Sequence, residues 1–277
     1  MDIAPLKKLL LNGDPEFWTR LQLLTNAAAD FEELFLLSSL RKKAHARELA
    51  NPQPAKSRLR LAIVGGYSLY PLHELVEHLC ELENLPLELW QGDYDNYLSE
   101  IMDDDSELYT FAPQVVVMLP AERCCIYTGK LTDPRELVQA EAQRAVDGVL
   151  ELARKVNEKT GAEVITTNFL LPTRHDLGAF RARTLASDTS FRQWVNLELG
   201  LAAPSYLHIC DWQFLANRLG GLAARDERSW FESKQPCSPA LLVELAREIT
   251  QLVVGLKRAP KKVLVFDLDN TLWGGVV

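Results

Sequence analysis

From residue 59 onward, short apolar runs alternate with longer amphipathic stretches, the pattern of a parallel β-sheet covered by helices on both faces. The runs LRLAIVG (59–65), PLELWQG (86–92), APQVVVMLP (112–120), AEVITTN (162–168) and SYLHIC (205–210) read as its strands. Helices are expected over residues 71–83 and 134–159, and a last one over 239–256 has Ser238 in the N-cap position. Upstream, Leu6, Leu9 and Leu10, then Leu21, Leu24, Phe31, Leu34, Phe35 and Leu36 recur at helical spacing. Residues 41–60, rich in Lys, Arg, Pro, Asn and Ser, read as a linker or a frayed helix end. A basic break with one proline, LKRAPKK (256–262), precedes a fresh apolar run. Three parts are expected: a helical region at 1–57, an α/β domain at 58–256, and a linker with a new strand and loop at 257–277.

Composition narrows the class. A chain of 277 residues with 47% hydrophobic and 25% charged positions can bury a sizeable core. Its formal charge of -8 and the lack of a Lys/Arg stripe with interleaved aromatics argue against nucleic acid as a partner. No apolar run reaches the roughly 18 to 20 residues that span a bilayer, and the first residues show no cleavable leader, so a cytoplasmic protein is expected. Five cysteines without a C-x-x-C pair fit free thiols better than a disulfide framework or a zinc site. Of these, Cys124 and Cys125 follow the third strand, where a reactive thiolate is one reading and inert packing the other.

The densest chemistry lies near the end, in Asp267-Leu-Asp269-Asn-Thr271. At a strand end, residues two apart share a side, so the two carboxylates would face one centre while Leu268 turns inward. One can attack phosphorus and the other can protonate the leaving group. Two adjacent carboxylates repel, which calls for a cation, usually Mg²⁺, held by oxygen ligands. The preceding run 263–266 reads as a buried strand. With it, these residues resemble the haloacid dehalogenase (HAD) pattern D-x-D-x-T. The resemblance implies Asp267 as nucleophile, Asp269 as acid/base, Thr271 in the substrate loop, and Mg²⁺ on Asp267 and Asp269. The continuation Leu272-Trp273-Gly274-Gly275 looks like the FkbH-like subgroup. Only Val276 and Val277 follow, so the chain reads as the N-terminal piece of a longer protein, its HAD domain truncated, with no appreciable phosphatase activity of its own.

Further strings upstream are similar to that family's N-terminal part: Gly65-Gly66-Tyr67-Ser68, Gly92-Asp93-Tyr94-Asp95-Asn96-Tyr97, Thr167-Asn168-Phe169 with Pro172, and Asp226 to Trp230 with Lys234 and Pro236. This domain resembles the SGNH hydrolases, which implies a three-layer flavodoxin-like fold with a site at the strand C-termini. By that resemblance Ser68 falls near the nucleophile, and Gly66, Gly92 and Asn168 fall near the substrate-binding blocks. Asp226 falls on the Asp-x-x-His acid, but Ser229 stands where the His belongs, and Tyr67 replaces the usual acidic residue before Ser68. His208, inside an apolar run, reads as a core histidine, and His175 as a solvated loop residue. Tyr94, Tyr97, Tyr109 and Phe111 line either a pocket or ordinary packing.

For the whole protein, the resemblance implies a phosphatase and glyceryltransferase. Such an enzyme takes a glyceryl unit from a phosphoglyceryl donor and loads it onto acyl carrier protein for polyketide extender units. For the α/β domain three roles stay open: docking of the carrier protein or its arm, an esterase or acyltransferase using Ser68, and a structural or oligomerisation module.

Overall fold

The computed structural model describes residues 2–51, 57–258, 263, 265–267 and 274. Three helices come first: α1 (Ala4–Asn12), α2 (Glu16–Ala27) and α3 (Phe31–Ala46). The alternating region follows as β1 (Leu59–Gly65), α4 (Leu72–Leu82), β2 (Leu87–Gln91), α5 (Tyr97–Met102), α6 (Glu107–Phe111) and β3 (Val115–Leu119). It continues with α7 (Arg135–Thr160), β4 (Glu163–Thr167), α8 (Asp188–Ala202), β5 (Leu207–Cys210), α9 (Trp212–Leu219), α10 (Glu227–Ser233) and α11 (Pro239–Lys257). All strand pairs are parallel, in the order β2-β1-β3-β4-β5. This is the strand order of the flavodoxin-like fold that the resemblance implied, with its reversal point between β1 and β3.

Strand alternation divides the core in two. Leu61 and Ile63 of β1 and Val115, Val117 and Leu119 of β3 point to one side, with α4, α9 and α11 packed on them. Ala62, Val64, Val116 and Met118 point to the other, against α5, α7 and α8. Near-continuous apolar strands are what a sheet buried on both faces requires. The leader helices belong to the first side: Leu6, Phe17, Leu21, Leu34 and Leu37 share one buried cluster with Leu75, Val76, Leu245 and Ile249.

Two expectations change. Residues 41–46 are not linker, because α3 runs through them and Arg41 is buried, bonded to Glu77 at 2.6 Å and to Glu81. Composition counts an arginine as solvated; here two carboxylates on α4 let it enter a helix seam. The run 263–266 was expected as a buried strand, yet the described residues Val263, Val265 and Phe266 are exposed and in no strand. No second strand lies beside them among the described residues, and an unpaired strand cannot satisfy its backbone out of water. The motif residues Asp269 and Thr271 lie outside the described residues, and Asp267 is exposed and outside any strand.

The 15-residue α8 went unpredicted, although Phe191, Val195 and Leu199 recur every fourth position and Ser187 caps it through the Ser190 amide. Among the described residues, no helix is long and apolar enough to cross a membrane.

Candidate functional site

A cavity of about 620 Å³ opens where β1 and β3 end, at the reversal point of the sheet. Gly66 makes it possible. A Cβ there would sit 2.3 Å from the Ala121 Cβ, so only glycine lets the chain leaving β1 pass this close to the chain leaving β3. Tyr67 follows, 3% exposed, its ring edge-on to Trp212 at 5.9 Å and to Trp230 at 6.2 Å. The Tyr67 hydroxyl is sealed from solvent and finds no acceptor for its proton among the described protein groups. Burial first, and the Glu122 carboxylate second, push its pKa well above the usual phenol value, so it remains an O–H donor.

The floor is ionic. Glu122, in the turn after β3, receives Arg192 of α8 at 3.1 Å on one oxygen and Arg225 on the other. Arg192 also reaches Asp188 at 3.1 Å and the Leu170 carbonyl at 2.8 Å, and Arg225 reaches the Leu171 carbonyl at 3.2 Å. Burial opposes the charge on Arg192, but Glu122 and Asp188 outweigh it and raise its pKa further. The opposite wall is apolar, formed by Pro172, Trp230, Pro236 and the exposed Leu222 and Phe231.

Of the predicted site residues, Gly66 and Asp226 line this cavity. Asp226 is spent locally: it caps α10 through the Arg228 and Ser229 amides and accepts the Ser229 hydroxyl at 2.6 Å. The Ser229 hydroxyl and amide lower its pKa. Ser68 does not line the cavity; its hydroxyl donates to the Tyr70 carbonyl at 3.3 Å and its amide to the Lys234 carbonyl at 3.1 Å. The Gly92 amide donates to the Ile63 carbonyl at 2.9 Å. The Asn168 side chain donates to Asp211 at 2.7 Å and accepts the Gln213 amide at 3.0 Å, tying β4 to the start of α9. An acyl-transfer site needs donors left free for a developing oxyanion and a base for the serine. The donors proposed from the SGNH resemblance are engaged in holding loops, and no histidine lines the cavity among the described residues.

The candidate histidines and the cysteine pair add no base or nucleophile to the cavity. His208 is half-buried and bonds the Glu163 carboxylate at 2.7 Å instead of backbone, because the neighbouring strand β4 brings that carboxylate alongside. His175 is exposed and outside the cavity. Burial pushes the Cys125 thiol up to about 12, and the Cys124 sulfur lies 3.3 Å from the Tyr97 hydroxyl. The tyrosine stripe does not converge: Tyr97 is core, Tyr94 is exposed, and Tyr109 donates to the Ile101 carbonyl. Among the described residues no group of three or more His, Cys, Asp or Glu could hold a metal. Sequence reasoning missed Glu122, Arg192 and Arg225. The signal available was Arg192, one position from the apolar stripe of α8, where an unpaired charge would be costly.

The family model for "FkbH, N-terminal domain" matches residues 60–254. The fold is similar to the crystal structure of the N-terminal part of BF1531 from Bacteroides fragilis, which contains a phosphatase domain complexed with Mg. That likeness has a TM-score of 0.68 and 22% identity over 90% of this chain, which spans 62% of that one. No curated protein matches the chain. The family match runs from the second residue of β1 into α11 and takes in every residue that lines the cavity, well over half of the sequence, and on that ground the chain belongs to the FkbH family through its N-terminal domain.

Proposed function

We propose that this chain is the N-terminal portion of a cytoplasmic FkbH-type phosphatase and glyceryltransferase, and that its strand-end cavity receives the acyl carrier protein through its phosphopantetheine arm. One observation carries the docking reading: a cavity with an apolar wall sits at the ligand-binding pole of the sheet, while Ser68, expected as nucleophile, and Gly92 and Asn168, expected to bind substrate, are engaged elsewhere. In the whole enzyme Asp267 would form a bond to the phosphorus of a phosphoglyceryl donor as the donor's P–O bond breaks, and Asp269 would supply the proton to the departing oxygen. The two carboxylates are also the pair that would hold Mg²⁺, whose charge offsets their repulsion. With the glyceryl carboxyl carried as an acyl phosphate, the carrier thiolate would form the C–S bond as the C–O bond to that phosphate breaks and inorganic phosphate leaves, giving the thioester used as a polyketide extender unit.

The test uses the exposed wall. Phe231 and Leu222 are 71% and 80% exposed, so Phe231→Asp and Leu222→Asp should fold normally. Carrier protein bearing its arm is titrated against the full chain and both variants by calorimetry. Binding to the wild type that weakens at least tenfold in each variant is expected. No binding to the wild type, or binding indifferent to both substitutions, removes the docking reading.

A further inference from the structure

The last helix, α11, carries the chain from one end of the sheet to the other. It starts beside the cavity, where Pro236 lines the wall and the Ser238 amide donates to the Ala224 carbonyl at 3.0 Å. With 19 residues at about 1.5 Å each, it spans about 28 Å. At its far end Arg258 holds Glu83, with Nη1 2.9 Å from the carboxylate and Nη2 on the carbonyl. Glu83 follows the last residue of α4, and four residues later Leu87 opens β2 and pairs with Leu59, the first residue of β1. The chain therefore leaves the domain at the pole where the strands begin, and the cavity stands at the pole where they end.

The way back along α11 is closed. From Leu241 to Val254 only Gln251 is exposed, because α4, α9 and β5 flank the helix and the leader helix α3 lies on it. The Ala28 carbonyl, at the end of α2, accepts Arg247 of α11 at 2.7 Å and ties the leader to that flank. Five residues lead from Arg258 to Val263, where the strand before the D-x-D-x-T motif is expected to start, and fully extended they reach at most about 18 Å. That is well short of the length of α11. Asp267, nine residues from Arg258, would come level with the cavity only if every one of them ran straight and extended, at most about 32 Å, along the flank that the leader occupies.

We infer that in the whole protein the domain bearing Asp267 and Asp269 seats on the pole where the strands begin, against the ends of α4 and α11, so that the cavity and the phosphatase centre are two separate stations for the carrier protein and not one chamber. Seats between domains of one chain are more polar than a core. The surface next to Arg258 and Glu83 has that character, with Gln22, Asn26 and Gln251 lining a groove of about 310 Å³ between α2, α4 and α11. The leader then has a use besides burying apolar surface: by covering α11 it keeps the following domain away from the cavity. The inference rests on the proposed continuation into a phosphatase domain; where that domain sits follows from α11 and the leader alone.

The test uses the whole protein, the chain carried on past Val277, with nitroxide labels attached in pairs to introduced cysteines. Cys80, Cys125, Cys210 and Cys237 are buried, and Cys124→Ser removes the half-buried one. Glu232→Cys marks the cavity side, next to Phe231 on α10 and exposed; Glu88→Cys marks the opposite pole, exposed on β2; Val277→Cys marks the phosphatase domain. Dipolar electron spin resonance reads the three distances. The pair 232 and 277 should be the longest of the three. Any other order puts the phosphatase domain alongside the cavity and overturns the inference. If Val277→Cys disturbs folding, Val276→Cys reads the same order. Phosphate release from a phosphoglyceryl donor is measured on the same samples. No release, with 232 and 277 farthest apart, sinks the phosphatase reading and upholds the placement of the domain; release with those two not farthest apart does the reverse.

Discussion

Two buried arginines, Arg41 at 3% exposure and Arg192 at 4%, sit among carboxylates on opposite faces of the sheet, and they do different things. Arg41 lies in the seam between α3 and α4, where Glu77, Glu81 and, through Glu81, His45 complete the cluster. Its partners all belong to helices that must stay together, so its field is used in fastening the leader to the α/β core. Arg192 lies beside a cavity and shares Glu122 with Arg225, two elements far apart in sequence that both border open space. There the same pair chemistry ties the turn after β3, α8 and the segment before α10 into one cavity floor. A guanidinium–carboxylate cluster is therefore read by what it faces: packed helices make it a fastener, and a cavity makes it a wall.

The comparison breaks most visibly in the seam. Arg41→Ala would leave Glu81, 11% exposed at its side chain, with His45 alone, and removing one partner of a buried pair costs about 3 to 5 kcal/mol. Urea unfolding followed by circular dichroism should show a loss of that order. A loss below about 1 kcal/mol would mean that the seam does not depend on its charges.

A more gradual effect comes from His78, beside the same seam. Its Nε2 lies 3.0 Å from the Thr25 hydroxyl of α2, and its Nδ1 has no hydrogen-bond partner. Burial, then the Arg41 cation of α3, lower its pKa to about 3, against a smaller opposing pull from Glu81 on its own helix. The unfolded chain takes up this proton near pH 6.5 and the folded one only near 3, so the stability is complete above 6.5 and falls as pH drops below it. The slope reaches about 1.4 kcal/mol per pH unit. Glu81 acts lower: burial opposes its charge, but His45 and Arg41 outweigh it and hold its pKa at about 2, so its share is present above 4.5 and lost as pH falls toward 2. Urea titrations of His78→Gln should lose the slope between pH 6.5 and 4.5 and keep below it only the fall that Glu81 contributes. An unchanged upper slope would assign that dependence to another group.

The sheet was legible and the site was not, for one physical reason. Val115 to Leu119 announce a doubly buried strand because burial on both faces is a property of consecutive residues. The cavity is assembled from single residues of separate loops and of α8, so no local pattern marks Glu122, Arg192 and Arg225 as neighbours. Gly66 was found through the family resemblance alone, and the structure supplies its reason, a chain passage that leaves no room for a Cβ. Ser68, Gly92 and Asn168 were placed correctly at strand ends, but sequence cannot say whether a donor there is free, and all three proved to be engaged. Arg41 misled in the other direction, because its partners lie more than thirty residues away.

The smallest expected effect sharpens the contrast most, because it concerns neighbours. Ser68 and Tyr67 are adjacent, yet the Ser68 hydroxyl has a long bond to the Tyr70 carbonyl on a half-buried residue, while the Tyr67 hydroxyl is sealed and unpartnered. Ser68→Ala should change stability by no more than about 0.5 kcal/mol and leave carrier-protein binding intact, since the group it removes touches neither the core nor the cavity. Any hydrolysis of short acyl esters by the preparation should be the same in wild type and variant. Ester hydrolysis lost specifically in Ser68→Ala would mean that the serine finds a base the apo geometry does not offer, and the cavity would then belong to a reaction and not to recognition.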